Sequence, residues 1–109
     1  FDIVTSYIMH HEVPAGKTKE IINEAYRVLR PGGVYFPIDF ETGAGRGRGK
    51  NAYSRFSSWR DHRWNEEVWR PDYSSVDFNG EMRKTGFDVV DEGPPAWRSR
   101  FNVLGTKPA

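Results

Sequence analysis

A Pro-Gly-Gly stop between a helical stripe and an apolar run constrains this chain more than any other feature. In Leu29-Arg30-Pro31-Gly32-Gly33 the proline cannot continue a helix, and glycine takes positive φ at little cost. Upstream, Ile21, Ile22, Ala25, Val28 and Leu29 recur at helical spacing from about Lys17 to Arg30, with Lys17, Lys19, Glu20, Asn23 and Arg27 on the wet side. Before that helix, Phe1 to Met9 reads as a strand. Its Ile3, Val4, Tyr7, Ile8 and Met9 make a near-continuous apolar run, as suits a parallel strand covered on both faces. After the stop, Val34 to Phe40 reads as the next strand. Strand, helix, tight turn and strand form a β-α-β unit, which demands two parallel strands with the helix packed across them. The fold class is α/β.

The 109 residues fit a single domain, 1–109, with room for one modest core. A segment at 41–73 interrupts the periodic pattern. It opens with Gly43-Ala44-Gly45-Arg46-Gly47-Arg48-Gly49-Lys50, a low-complexity run, and continues with Tyr53, Phe56, Trp59, Trp64 and Trp69, enough apolar surface for a short helix. From about Ser75 to Lys84 a helix is predicted, opened by the serine, with Phe78 and Met82 on one face and Gly86 closing it. Phe87 to Asp91 and Arg98 to Thr106 read as two strands, joined through Glu92-Gly93-Pro94-Pro95 as a hairpin.

Composition narrows the chemistry. With no cysteine there is no disulfide, thiolate nucleophile or cysteine zinc site. A net charge of +1 supplies no global field toward nucleic acid or membrane. No apolar run is long enough to span a bilayer, and no signal-peptide pattern stands at the start, so a cytoplasmic protein is expected. The chain opens on Phe1 inside a strand-like run, as expected of a piece of a longer protein.

The order and spacing of these elements resemble the second half of the class I S-adenosylmethionine-dependent methyltransferase fold. Phe1-Asp2-Ile3-Val4 is similar to its fourth strand, and Ala25-Tyr26-Arg27-Val28-Leu29-Arg30-Pro31-Gly32-Gly33 to the helix and turn before its fifth. Thr85-Gly86-Phe87-Asp88-Val89-Val90 resembles the last helix entering the sixth strand, and Asn102-Val103-Leu104-Gly105-Thr106-Lys107 the seventh. The resemblance implies a partial Rossmann-like, doubly wound sheet: strands four and five, a C-terminal antiparallel hairpin, two to three helices, and the order four-five-seven-six. It implies a parent enzyme that moves a methyl group from S-adenosylmethionine to a small-molecule acceptor. The family's Gly-rich turn after a first strand, and the acid that grips the ribose diol, have no counterpart here. The chain alone is therefore expected to be inactive and to hold no cofactor.

Candidate site residues follow from placement and from the resemblance. His10-His11-Glu12 stands at the C-terminal end of the first strand, where open α/β sheets bind ligands. The resemblance puts this loop beside the methyl-transfer site, so His10 or His11 is a candidate to position or deprotonate an acceptor in the parent enzyme. The alternative is a solvated loop. Ser6 and Tyr7, ending the first strand, are the implied cofactor contacts. A metal site from His10, His11 and Glu12 is disfavoured, because adjacent histidines in an extended segment point opposite ways. Gly16-Lys17-Thr18 lacks the glycine five residues earlier that a phosphate loop needs, and the glycine-arginine run at 43–49 leads into no apolar helix. Asp2 and Asp39 stand at or near strand ends and are read as structural rather than as an acid-base pair.

Three readings fit the segment after the second strand. Tyr53, Phe56, Trp59 and Trp64 can wall the acceptor pocket, as the resemblance implies. The interleaved Arg46, Arg48, Lys50, Arg55, Arg60, Arg63 and Arg70, against Asp61, Glu66 and Glu67, can instead serve a stand-alone nucleic-acid-binding or protein-interaction module. Or the tryptophans pack on the sheet and the arginines are wet. Finally, an isolated half-sheet leaves its first strand as an apolar edge, through which the chain is expected to pair with a second copy as a dimer.

Overall fold

A computed structural model describes residues 1–7, 9–40, 52–64, 73, 75–90 and 100–109. Strand β1 (Ile3–Tyr7) leads through a single turn of 3-10 helix (His10–Glu12) into helix α1 (Ala15–Val28), which returns to strand β2 (Val34–Phe40). Helix α2 (Ala52–Trp64), helix α3 (Phe78–Thr85) and strands β3 (Asp88–Val90), β4 (Arg100–Asn102) and β5 (Leu104–Thr106) follow. The β-α-β unit is as expected: β1 and β2 are parallel, Ile3 opposite Val34 and Tyr7 opposite Ile38. The strands run β1-β2-β5-β3, the order four-five-seven-six read from the sequence, with β3 and β5 antiparallel.

β4 and β5 are one strand interrupted at a single residue. Both pair antiparallel with β2 in one register, Ile38 opposite Asn102 and Tyr35 opposite Gly105. That register sets Val103 opposite Pro37, which has no N–H to give to the ladder. The proline in mid-strand explains the break.

The Pro-Gly-Gly turn is fixed from several sides. Gly32 takes φ 78°, and a Cβ on Gly33 would lie 2.9 Å from both the Arg30 carbonyl and the Leu29 side chain. Lys107, at the end of the last strand, donates from Nζ to the carbonyls of Tyr26 (2.9 Å) and Leu29 (2.8 Å). A cation thus satisfies the orphan carbonyls where α1 ends, as the helix dipole favours. Asp2 and Arg30 pair across the same turn.

The core sits between the sheet and two helices. Ile22 and Ala25 of α1, with Leu29 at its C-terminal cap, meet Phe78 and Met82 of α3, with Tyr35, Tyr73, Val76, Phe87 and Val103. Three sequence expectations need correction. The cap of α3 is Asp77, whose carboxylate accepts from the Gly80 N–H, rather than Ser75, because Val76 between them is buried and outside the helix. Gly86 does close it, at φ 115°. β1 is covered on one face only: Ile3, Thr5 and Tyr7 point to the exposed face, with Ile3 and Tyr7 65% and 62% exposed, and separately no described strand pairs with its outer edge. Trp59 and Trp64 are more than half exposed, so they do not pack on the sheet. The glycine-arginine run, Trp69 and the turn at 92–95 lie outside the described residues.

Candidate active site at the end of the parallel strands

Two parallel strands in register bring their C-terminal ends together. Ser6 stands opposite Pro37 and Tyr7 opposite Ile38, so the turn that follows β1 arrives beside Asp39. Asp39 is fully buried, and its carboxylate organises the turn. Oδ2 accepts from the backbone N–H of Met9 (3.0 Å) and of His10 (2.7 Å), while Oδ1 accepts from His11 Nδ1 (2.9 Å). A carboxylate with three donors is strongly favoured as the anion. Facing this carboxylate, His11 Nδ1 is the ring nitrogen that carries a proton and donates it to Oδ1. Nε2 lies 3.8 Å from Oε1 of Glu12, whose side chain is in solvent. The His11 ring is buried and stands edge-on to buried Tyr73, with centroids 6.3 Å apart.

His10 does something different one residue away. Its Nε2 lies 3.0 Å from the Ser6 hydroxyl and 2.9 Å from the Tyr35 hydroxyl, which are themselves 3.0 Å apart. The ring edge meets Phe78 at 4.8 Å. Nδ1 has no hydrogen-bond partner among the described residues. Burial is the largest influence on this imidazole and lowers its pKa from 6.5 to about 4, against the attraction of Asp39 and with the repulsion of His11. It is neutral at physiological pH. Burial likewise raises the Tyr35 hydroxyl to about 12, opposed by its hydrogen bond to Ser6 and reinforced by the Asp39 charge. Ser6, His10 and Tyr35 form a buried triangle of polar groups beside the His11–Asp39 contact.

The sequence placed His10 and His11 in an extended loop, solvated or catalytic. The structure corrects the extended, solvated part of that picture: the segment is a 3-10 turn and both rings are buried. Asp39, read as a structural acid, is the partner of His11. The signal was present, because an acid near the end of β2 and histidines after β1 must meet once the strands are parallel and in register. No group of metal-ligating side chains forms among the described residues.

A cavity of about 410 Å³ runs between β1 and α1, lined by Val4, Ser6, Tyr7, Met9, Glu24 and Tyr35 among others. Its polar groups are committed elsewhere, Ser6 to His10 and Tyr35, Glu24 to Arg27 at 2.7 and 2.8 Å. A nucleoside needs a close backbone approach and a carboxylate open to its diol. The residues lining this cavity supply neither, so the cavity by itself does not fit a nucleoside. The four aromatic candidates lie apart from the histidine turn in their exposure: Tyr53, Phe56, Trp59 and Trp64 of α2 are 76%, 55%, 54% and 67% exposed.

The chain matches no family model and no curated protein sequence. Solved structures do match. An O-methyltransferase family protein from Burkholderia thailandensis superposes with TM-score 0.70 at 17% identity, over 99% of this chain and 30% of that one. The S-adenosylmethionine-dependent methyltransferase SibL, in its apo form, gives 0.69 at 21% identity, over 99% and 31%. Human N-acetylserotonin methyltransferase, in complex with its cofactor, gives 0.66 at 15% identity, over 99% and 30%. The chain thus spans about 30% of each of these three proteins. Its β-α-β unit, its strand order and its antiparallel return, together with these matches over nearly the whole chain, show that the chain has the fold of the C-terminal part of a class I S-adenosylmethionine-dependent methyltransferase.

Proposed function

We propose that this chain carries the acceptor-side base of a methyl-transfer site, with His11 as the general base and Asp39 as its anchor. The observation that carries the reading is the 2.9 Å contact between His11 Nδ1 and Asp39 Oδ1 at the C-terminal ends of two parallel strands. S-adenosylmethionine, gripped in this reading outside these 109 residues, is the source of the methyl group. His11 receives the proton from the acceptor's oxygen or nitrogen at Nε2, and Asp39 holds the ring in the tautomer that permits this. The turn around it is rigid because Asp39 also takes the N–H groups of Met9 and His10. The acceptor in this reading is a small molecule.

The test is methyl transfer from labelled S-adenosylmethionine to a panel of phenols, amines and carboxylic acids by the protein at its natural length. His11→Gln should lower kcat by about 10²–10⁴-fold, the usual range for a positioned base, with cofactor affinity unchanged. An unaltered kcat in that variant, with an unaltered pH profile, would remove His11 from the chemistry. The 109-residue chain alone should be inactive and bind the cofactor weakly at most.

The chain by itself should also pair through β1, whose outer edge meets no strand among the described residues and whose Ile3 and Tyr7 are mostly exposed. Light scattering at micromolar concentration should report a dimer that Tyr7→Lys dissociates; a monomer throughout would sink this part of the proposal.

A further inference from the structure

Helix α2 turns its aromatic side outward. Tyr53, Phe56, Trp59, Arg60, Arg63 and Trp64 each have another of the six three or four residues away, so they share one side of the helix, and all six are exposed. The rings are already arranged in planes. Phe56 and Trp59 lie 5.9 Å apart and tilted by 33°, and the Arg63 guanidinium sits 5.0 Å over the Trp64 ring. An apolar helix side normally faces the core, and one that faces water marks an interaction surface.

From this side of α2 we infer that the chain binds single-stranded nucleic acid, with bases stacked on the aromatic rings and phosphates met by Arg60 and Arg63. Stacking on aromatic and guanidinium planes is the sequence-tolerant way proteins hold unpaired bases, and arginine supplies the backbone charge. Charge decides among possible occupants. Both described charged side chains on this side are arginines, the sign of charge that suits a polyanionic strand. A bilayer-seeking helix carries aliphatic residues on its apolar side with cations along the margins. Here there is no Leu, Ile, Val or Met on that side, and the arginines stand among the rings. From Tyr53 to Trp64 the side extends about 16 Å at the helical rise, longer than a single small acceptor needs. The inference goes beyond the methyl-transfer reading and does not depend on it.

The experiment uses the 109-residue chain and a fluorescein-labelled twelve-residue oligouridylate, read by anisotropy and by tryptophan quenching. Binding should quench tryptophan emission and weaken with salt. Replacing Arg60 and Arg63 together by Ala should reduce the salt slope by about 1.4, at about 0.7 for each phosphate contact on a single strand. Trp59→Ala should weaken binding about five- to 160-fold, the range for one stacked base. Circular dichroism of each variant shows whether the fold is retained, and Trp59→Phe should keep most of the affinity. The inference is overturned by equal affinity for heparin without quenching, which means charge alone. Binding to phosphatidylserine vesicles but not to the oligonucleotide would overturn it in favour of a membrane, and burial of the tryptophans in a dimer would overturn it in favour of self-association.

Discussion

The turn after β1 and helix α2 invert the ordinary rule of burial in opposite directions. In the turn, His10, His11 and Asp39 are buried to within 2% of full burial; on α2, four aromatic rings are more than half exposed. Hydropathy predicts the reverse for both. The turn can be buried because its polar atoms are answered: three donors meet one carboxylate, and two hydroxyls meet one imidazole nitrogen. The helix can stay wet because one helix side exposed to water costs only its own apolar area, while the core is closed by other residues. A region that departs from the burial rule and is internally consistent is where function is expected, and here there are two such regions of different chemistry.

The largest effect should come from breaking the turn. Asp39→Ala leaves two buried backbone donors and the His11 ring without their acceptor, and should cost about 3–5 kcal/mol in urea unfolding of the chain, as for removal of one partner from a buried charged network. A cost below 1 kcal/mol would mean that the carboxylate organises nothing.

The next effect is pH-dependent. His10 titrates near 4 in the folded chain and near 6.5 when unfolded, so between those values the unfolded state binds the extra proton. Stability supplied by the neutral ring is fully present above pH 6.5 and is lost as pH falls, by about 3 kcal/mol at pH 4. Thermal melts from pH 7 to pH 4 should show the loss, and His10→Phe should flatten it relative to the parent. Carboxylates shared by both chains cancel in that comparison.

Tyr35→Phe removes one corner of the hydroxyl triangle without changing the ring. It should cost about 1–2 kcal/mol, because Ser6 and His10 keep each other as partners. The smallest effect sharpens the contrast with the helix. Trp59→Ser should change stability by no more than about 0.5 kcal/mol, as exposed positions usually do. A loss of several kcal/mol there would show that the exposed side of α2 is packed in solution.

Local rules explain why the β-α-β unit was legible. The helical stripe, the proline stop and the apolar run of β2 are each set by neighbours in sequence, and β2 came out with the predicted ends, Val34 and Phe40. The cap of α3 was missed by two residues because Ser75 and Asp77 are both good caps, and only the burial of Val76 chooses between them. The break at Val103 was invisible for a related reason: its cause, Pro37, lies on another strand. His10 and His11 were legible as candidates from their place after a parallel strand, but their division of labour was not.

By itself the sequence determined the α/β class, the order of the elements, the Pro-Gly-Gly turn that ends α1, and the resemblance those features carry. It did so because backbone propensity and hydrophobic period act over a few residues. Only the tertiary structure decided that Asp39 holds His11 rather than standing alone, that His10 is neutral beside it, and that the rings of α2 face water. Those outcomes depend on which groups arrive from distant parts of the chain to satisfy a donor or cover a ring, and hydrogen bonding and burial are settled by that arrival.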